Sequence, residues 1–409
     1  MDTMSVVRKN IGWFRDSGIM HPADGYWGVA ERIITGLSPD ARAQVNRSFP
    51  FQTELGGGVT VLEHRRPDCN FETAYALSLA SRYLGDQSLS SAAHAIVDFC
   101  TKRSGLRCTD DIPQKDLWEF YQPVRKPTFY IDDNSWVITF LLLLGRTVPA
   151  YREMGIAAAR KLLLLLGPYT EFLRTNGVRL FPDSGKILSG LSTNPHWMGL
   201  VTMAFAHAAA VDPQTDYAGF VETYYERYAL AGPPKDDRYA GLSRRGLPWS
   251  LSEYAYLTLT ASICAKHFKS DRIRSVARTA ADILIGAQQE AGNFPAEHGE
   301  SPAGEHLVDL IYTQNWATLG LLHAAILFND DRYKTAAEKS LELLARIQDT
   351  STSKHFNGCW RGMYDIQKRT WGGGDHYEGG AGSIYSGWTN APIMLAFLFS
   401  VTGETLFSE

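Results

Sequence analysis

The chain has 409 residues, of which 44% are hydrophobic and 21% are charged, and its formal net charge is −4. This near-neutral charge, without a run of five like charges, argues against binding to nucleic acid or to an anionic membrane. The longest apolar stretches are far shorter than the roughly 20 residues of a membrane span, so we expect no membrane segment.

The beginning of the chain and its cysteines indicate where the protein resides. Residues 1–9 contain no apolar stretch of the kind found in a secretory signal. The five cysteines are scattered and form no C-x-x-C pair, as is typical of reduced thiols. We therefore predict a cytoplasmic protein. Glu297-His298 and Glu305-His306 do not have the helical spacing of a metal motif, so we expect no metal and no cofactor.

The first 70 residues combine helical and loop-like patterns. Residues 4–16 and 26–37 each carry apolar side chains at helical spacing, and a turn with glycine and proline separates them. Residues 38–70 are loop-like, apart from a β-tending stretch at 59–62.

Beyond residue 70, an aromatic residue opens an apolar helix six times. Successive steps are 61, 61, 57, 62 and 72 residues. A polar break and a more amphipathic helix follow each of the first five, so the repeated unit is an α-hairpin. The six aromatic residues are Tyr75, Trp136, Trp197, Tyr254, Trp316 and Trp388.

Six such hairpins predict an all-α fold, an (α/α)6 toroid of six inner and six outer helices that forms a single domain over residues 1–409. The inner helices are too apolar to face water on any side. The sixth inner helix has no partner after it, so one of the two N-terminal helices should close the ring against residues 388–402. The predicted pairs are 72–85 with 89–103, 134–146 with 150–175, 195–211 with 215–231, 251–268 with 271–291, and 314–328 with 331–349.

Three connections, 104–131, 232–250 and 350–387, exceed the usual loop length of about 4–6 residues. Each precedes an inner helix, so all three should lie on one rim of the ring. Long connections of this kind are usually functional.

Polar or acidic residues stand at the N-terminal ends of the inner helices, which point to the same rim. Capping is the simplest explanation and suits Asp133 and Asn194. It explains His196, Glu253 and Asn315 poorly, because each directly precedes an aromatic residue inside the helix. The rim set is Glu72, Asp132, Asp133, His196, Glu253 and Asn315.

The adjacent pair Asp132-Asp133 is the sharpest local signal. Glycoside hydrolysis needs a proton donor and a second carboxylate as base or nucleophile. Neighbouring carboxyl groups in a shielded cavity cannot both ionise cheaply, so one can serve as the acid. Adjacent side chains often point apart, in which case the second carboxylate would come from Glu72 or Glu253.

Several other residues could bind a sugar. An aromatic residue at helical spacing is more often part of the core, whereas Trp249 and Trp371 fall in long connections. His376 lies in the glycine-rich part of the last connection. The run His64-Arg65-Arg66 could hold a carboxylate, with Arg65 as the first choice, and so could Arg361. The aromatic candidates are Trp136, Trp197, Trp249, Tyr254, Trp316, Trp371 and Trp388.

The segment 129–136, Phe-Tyr-Ile-Asp-Asp-Asn-Ser-Trp, resembles the Asp-Asp-x-x-Trp segment of α-1,6-mannanases, and the repeat resembles six-hairpin (α/α)6-barrel glycosidases as a whole. That resemblance implies catalysis by Asp132 and Asp133. The chain is also similar in length to unsaturated glucuronyl and rhamnogalacturonyl hydrolases, whose substrates carry a carboxylate. We therefore expect a glycoside hydrolase whose partner is a short, uronic-acid-containing oligosaccharide.

Three alternatives remain open. Sugar epimerases share the barrel and use paired histidines, here His196 with His376 or His306. Uronate lyases of this shape use Asn, His, Tyr and Arg, here Asn194, His196, Tyr254 and Arg245. The ring could also be a glycan-binding protein without catalytic activity.

Overall fold

The computed structural model describes residues 2–122, 127–176, 187–235, 237, 239–373 and 380–407, except for the side chains of 168–176. In this part of the chain the structure is mostly helical, as the sequence predicts, and it also contains two small sheets that the sequence did not predict. The helices are α1 (Thr3–Asp16), α2 (Pro39–Ser48), α3 (Pro67–Leu84), α4 (Gln87–Asp98), α5 (Ile131–Leu144), α6 (Pro149–Asn176), α7 (Leu200–Val211), α8 (Ala218–Arg227), α9 (Leu251–Phe268), α10 (Asp271–Ala287), α11 (Gln314–Phe328), α12 (Asp331–Ile347) and α13 (Ala391–Thr402).

Six helices form the predicted inner ring. Each contacts the next in the order α3, α5, α7, α9, α11 and α13, and α13 returns to α3. These helices are apolar around their circumference, and every residue of α5 is buried. None of the helices in the described part of the chain combines the length and hydropathy of a membrane span. The apolar surface is instead buried between neighbouring helices.

The outer helices α4, α6, α8, α10 and α12 each pack against the inner helix that precedes them. Helix α1 packs against α13 and occupies the sixth outer position. The polar breaks cap this layer: Asp86, Ser270 and Asp330 accept hydrogen bonds from the first turns of α4, α10 and α12.

The prediction of a helix over residues 26–37 is wrong. Gly28 adopts a left-handed conformation with φ 69°, and a Cβ there would lie 2.5 Å from the Phe99 ring. The following strand β1 (Arg32–Ile34) carries two β-branched isoleucines, which favour a pleated strand over a helix. Tertiary pairing therefore overrides the helical spacing.

Two four-stranded sheets are built from segments that connect the helices. The first has the order β2 (Gln52–Gly56), β3 (Val59–Leu62), β1, β8 (Ser383–Tyr385), and all its pairs are antiparallel. The second has the order β4 (Pro295–Ala296), β5 (Gly304–Asp309), β6 (Met363–Asp365), β7 (Thr370–Trp371). Because β8 pairs with β1, the last long connection is tied to the N-terminal segment.

Candidate active site

A cavity of about 290 Å³ lies where the inner helices begin. Residues at or just before the starts of α5, α7 and α13 line it, together with residues of the connections, as the shared rim predicted. The lining residues are Arg66, Phe120, Tyr130, Asp132, Asp133, His196, Trp197, Tyr239, His298, Glu300, Tyr312, Tyr385 and Trp388.

Asp132 and Asp133 stand in the first turn of α5 and are 2% and 1% exposed. Neither caps the helix, because the capping position is Tyr130 and no side chain caps there. Asp132 Oδ1 accepts no hydrogen bond from the described residues. Burial raises the pKa of Asp132 to about 6, although the charges of His196 and Arg66 oppose the rise. Asp132 can therefore hold a proton in mildly acidic solution and release it near neutrality.

Arg66 donates hydrogen bonds to three buried carboxyl groups, one of which is Asp133. Its Nη2 donates to Asp133 Oδ1 at 2.7 Å and to Asp68 Oδ2 at 2.8 Å, and its Nη1 donates to Glu31 at 3.3 Å. Burial nevertheless raises the pKa of Asp133 well above its usual range, and the charge of Asp68 and a hydrogen bond to it add to the rise. The single guanidinium of Arg66 thus forms ion pairs with several buried carboxyl groups.

His196 is fixed by Glu253. The imidazole Nδ1 lies 2.5 Å from Glu253 Oε1, and the His196 backbone N–H donates to Oε2 at 2.9 Å. His196 lies in a π-helical turn (Pro195–Gly199) before α7, and Glu253 is in the first turn of α9. A carboxylate at Nδ1 holds the proton on that nitrogen, so Nε2 is the acceptor in the neutral ring. Glu253 itself does not line the cavity.

A second histidine, His298, lines the same cavity, and its neutral ring carries the proton on the other nitrogen. The Glu300 backbone N–H donates to His298 Nδ1 at 3.1 Å, so the proton of the neutral ring is on Nε2. The His298 ring stacks on Tyr312 at 3.7 Å between centroids and lies 6.0 Å from the His196 ring.

Trp388 is held by three hydrogen bonds, one through its indole and two through its backbone. Its Nε1 donates to Asp68, its backbone N–H donates to Glu72 Oε2 at 2.6 Å, and its carbonyl accepts from Asn315. The backbone of Trp388 is left-handed, with φ 37°. Gly387 before it cannot carry a Cβ, which would lie 2.4 Å from Cys69 Cα. Glu72 and Asn315 thus lie behind the cavity wall and position Trp388.

Of the seven predicted aromatic residues, only Trp197 and Trp388 line the cavity. Both stand in π-helical turns, Pro195–Gly199 and Ser386–Asn390, and are half-buried. The prediction that the other five bind sugar is therefore wrong for this cavity. Trp136, Trp249, Tyr254 and Trp316 are fully buried packing residues, and Trp371 packs against Tyr364 in β6.

Two of the basic residues expected to hold a carboxylate, Arg65 and Arg361, are engaged elsewhere. Arg65 pairs with Glu63 at 2.5 Å, and Arg361 pairs with Asp349 at 2.6 Å. Neither lines the cavity, whereas Arg66, the second arginine of the same run, does. His376 lies outside the described residues.

The set expected for a lyase is not assembled either. Arg245 pairs with Glu297 and Glu305 and does not line the cavity, and neither does Tyr254. Asn194 precedes the turn that carries His196 but is not in the cavity wall.

Sequence reasoning missed several lining residues. His298, Glu300 and Tyr312 belong to the connection between α10 and α11, residues 288–313, which is longer than the 232–250 connection and could have been recognised by its length. Phe120 and Tyr239 fall in two of the three long connections that were singled out, 104–131 and 232–250, but nothing in their local pattern distinguishes them. The described residues contain no group of three or more potential metal ligands.

Comparison of the sequence with protein families and with curated proteins gives no significant match. Solved structures show the fold: this chain is a six-hairpin (α/α)6 barrel. It is similar to the unsaturated glucuronyl hydrolase of Bacillus sp. GL1, with 12% identity, a TM-score of 0.61 and coverage of 100% of this chain and 99% of the other.

Two epimerases are similar to a comparable degree. A sugar epimerase from a ruminal bacterium has 12% identity and a TM-score of 0.61, with coverage of 98% and 100%. The cellobiose 2-epimerase of Spirochaeta thermophila has 15% identity and a TM-score of 0.55, with coverage of 97% and 96%. At these identities the likeness establishes the fold, and the chemistry has to be argued from the site.

Proposed function

We propose that the protein is a carbohydrate-active enzyme that hydrolyses short oligosaccharides, with Asp132 as the general acid. Asp132 carries the proposal: it is a buried carboxyl group in the wall of a cavity, with one oxygen unpartnered among the described residues and a pKa of about 6. A catalytic acid works best when its pKa lies near the operating pH.

His196 is the proposed base. With Nδ1 bound to Glu253, its Nε2 can take a proton from water while the water oxygen bonds to the anomeric carbon. As the glycosidic C–O bond breaks, Asp132 gives its proton to the departing oxygen. Glu253 acts through His196 and is a positioning residue. Asp133 lines the cavity beside Asp132, where its link to Arg66 fixes the start of α5.

The charges around the cavity favour a neutral sugar over the uronate expected from the sequence. Among the residues that line the cavity, Arg66 is the arginine that could bind a substrate carboxylate, and it already binds Asp133, Asp68 and Glu31. A substrate carboxylate would compete with three buried acids for one cation, and unpaired charge is costly to bury. The pairing of Arg65 and Arg361 with their own carboxylates supports the same conclusion.

The comparisons support a sugar substrate, since similar structures include a glucuronyl hydrolase and a cellobiose epimerase. Half-buried Trp197 and Trp388 provide flat faces of the kind on which sugar rings pack.

The test is incubation with a panel of neutral and acidic oligosaccharides, with products identified by mass. We expect a gain of one water per cleaved bond, and at least a 100-fold loss in Asp132→Asn with the circular dichroism spectrum retained. Unchanged turnover in that variant would refute the role of Asp132. Saturable binding without any product would instead indicate a glycan-binding protein.

Sugar epimerisation is the second candidate, favoured by the two histidines in the cavity. His196 presents an acceptor and His298 a donor, with ring centroids 6.0 Å apart, an arrangement suited to proton exchange at a carbon beside a carbonyl. In heavy water such a reaction would place deuterium on the sugar without cleaving a glycosidic bond. Hydrolysis would leave carbon-bound hydrogens unexchanged.

A further inference from the structure

A second, smaller cavity of about 180 Å³ adjoins the first. Arg66 and Phe120 line both, so this pair forms the partition between them, with the guanidinium 4.6 Å from the Phe120 ring centre. The remaining lining residues are Glu31, Arg32, Phe49, His64 and Tyr121. We call this space the side chamber.

The side chamber has a buried acceptor. Glu31 is 2% exposed; one of its oxygens accepts from Arg66 at 3.3 Å, and Oε2 accepts no hydrogen bond from the described residues. Arg32 Nε lies 3.5 Å from Oε2. Leaving a buried carboxylate oxygen without a donor is costly, so a ligand hydroxyl placed there would be stabilised.

Aromatic rings make up much of the remaining wall. His64 and Tyr121 stack with centroids 4.4 Å apart and an interplanar angle of 2°, and Phe49 lies 4.8 Å from His64. Arg32 and Arg66, which complete the wall, are both paired with Glu31. Rings, a buried acceptor and arginines that already have a carboxylate partner suit a small, neutral, hydroxyl-bearing group. The volume is below the range of about 300–1,000 Å³ that is typical of drug-sized ligands, so the chamber would take one small unit.

We propose that the side chamber is a subsite for a second sugar unit of a neutral oligosaccharide, whose reacting unit occupies the main cavity. This inference rests on the proposed function. The second unit donates a hydroxyl hydrogen bond to Glu31 and packs against the ring of Tyr121. Arg66 lies between the two sugar units and binds both Glu31 in the side chamber and Asp133 in the main cavity. It therefore links the two binding sites directly.

The test compares binding of glucose, mannose, cellobiose, mannobiose and cellotriose to the Asp132→Asn variant by calorimetry and saturation-transfer NMR. We expect at least one disaccharide to bind at least tenfold more tightly than its monosaccharide. Tyr121→Ala in the same background should abolish this gain and leave monosaccharide binding unchanged, whereas Tyr121→Phe, which keeps the ring, should retain it. Glu31→Gln provides a second variant that keeps the side-chain shape and should reduce the gain.

A gain that survives both Tyr121→Ala and Glu31→Gln, or no gain for any disaccharide, would overturn the subsite. If the wild-type protein turns over a sugar of the panel but shows no such gain, the subsite fails and the proposed function stands. If no sugar is bound or converted, the proposed function fails and the subsite fails with it.

Discussion

Nδ1 of His196 lies 2.5 Å from Oε1 of Glu253, a residue 57 positions further along the chain. The contact joins the turn before α7 to the first turn of α9, so it depends on the packing of these two neighbouring inner helices. Both residues precede the aromatic residue of their repeat unit. The recurrence thus brings equivalent positions of adjacent hairpins into contact.

The first prediction concerns this pair. Glu253→Gln removes the charge that stabilises a protonated His196, and we expect turnover to fall by about 10- to 100-fold. The Nδ1–H resonance of His196 should move upfield in the proton NMR spectrum. A normal turnover rate with an altered resonance would show that His196 does not act as the base.

The pH dependence of activity follows from Asp132. Since its pKa is about 6 and the acid must be protonated, kcat/KM should fall about tenfold per pH unit above 6. The decrease reflects loss of the proton from free enzyme. In Asp132→Asn the residual activity should lack this decrease, and its persistence there would assign the titration to another group.

Stability should change with pH for the same reason. The pKa of Asp132 in the folded state lies above its ordinary value of 3.8, so folding favours the protonated form. Its contribution to the free energy of unfolding is fully present below about pH 4 and is lost as pH rises through 6. The loss is on the order of 3 kcal/mol, at about 1.4 kcal/mol per pKa unit. Asp132→Asn should therefore raise Tm relative to wild type at pH 8 but not at pH 4, as measured by calorimetry.

Arg66 should be critical for stability. Arg66→Met removes the cation that buried Asp133, Asp68 and Glu31 share, and removing one partner of a buried ion pair costs about 3–5 kcal/mol. The matched variant Arg65→Met, whose partner Glu63 is partly exposed, should cost less. Urea unfolding at pH 7.5 measures both, and equal losses would contradict the assigned role of Arg66.

Substitution of Trp249 and of Trp197 should affect different properties, stability in the first case and substrate binding in the second. Trp249 is 1% exposed and its Nε1 donates to the Ala229 carbonyl, so Trp249→Ala should lose about 3–5 kcal/mol of stability with KM unchanged. Trp197 is half-buried in the cavity wall, so Trp197→Ala should raise KM with a smaller loss of stability. A raised KM in Trp249→Ala with an unchanged KM in Trp197→Ala would instead indicate that Trp249 contacts the sugar.

The hairpin recurrence predicted the ring, because helix periodicity and apolar content are properties of local sequence. It did not decide which of the two N-terminal segments would pack against the last inner helix. The recurrence could not separate Trp197 and Trp388 from the four buried aromatic residues at equivalent positions. Those two stand in π-helical turns, which shift the side-chain direction relative to a regular helix, and such turns leave no clear sequence pattern.

The rim residues were only partly predictable. Asp132, Asp133 and His196 were found from their places at helix starts. His298 and Glu300 reach the cavity through the connection that carries β4 and β5, and their positions depend on pairing with distant β6. Long-range strand pairing of this kind cannot be read from a local pattern.

The sequence by itself determined that this chain forms a ring of apolar helices with acids and histidines at one end, because each hairpin encodes its own buried face. The tertiary structure decided which of those polar groups meet. Arg66 rather than Arg65 enters the cavity, and Glu253 lies behind His196. The physical reason is that the pKa of a buried acid and the tautomer of a histidine depend on neighbours that are far apart in sequence and meet only when the inner helices pack side by side.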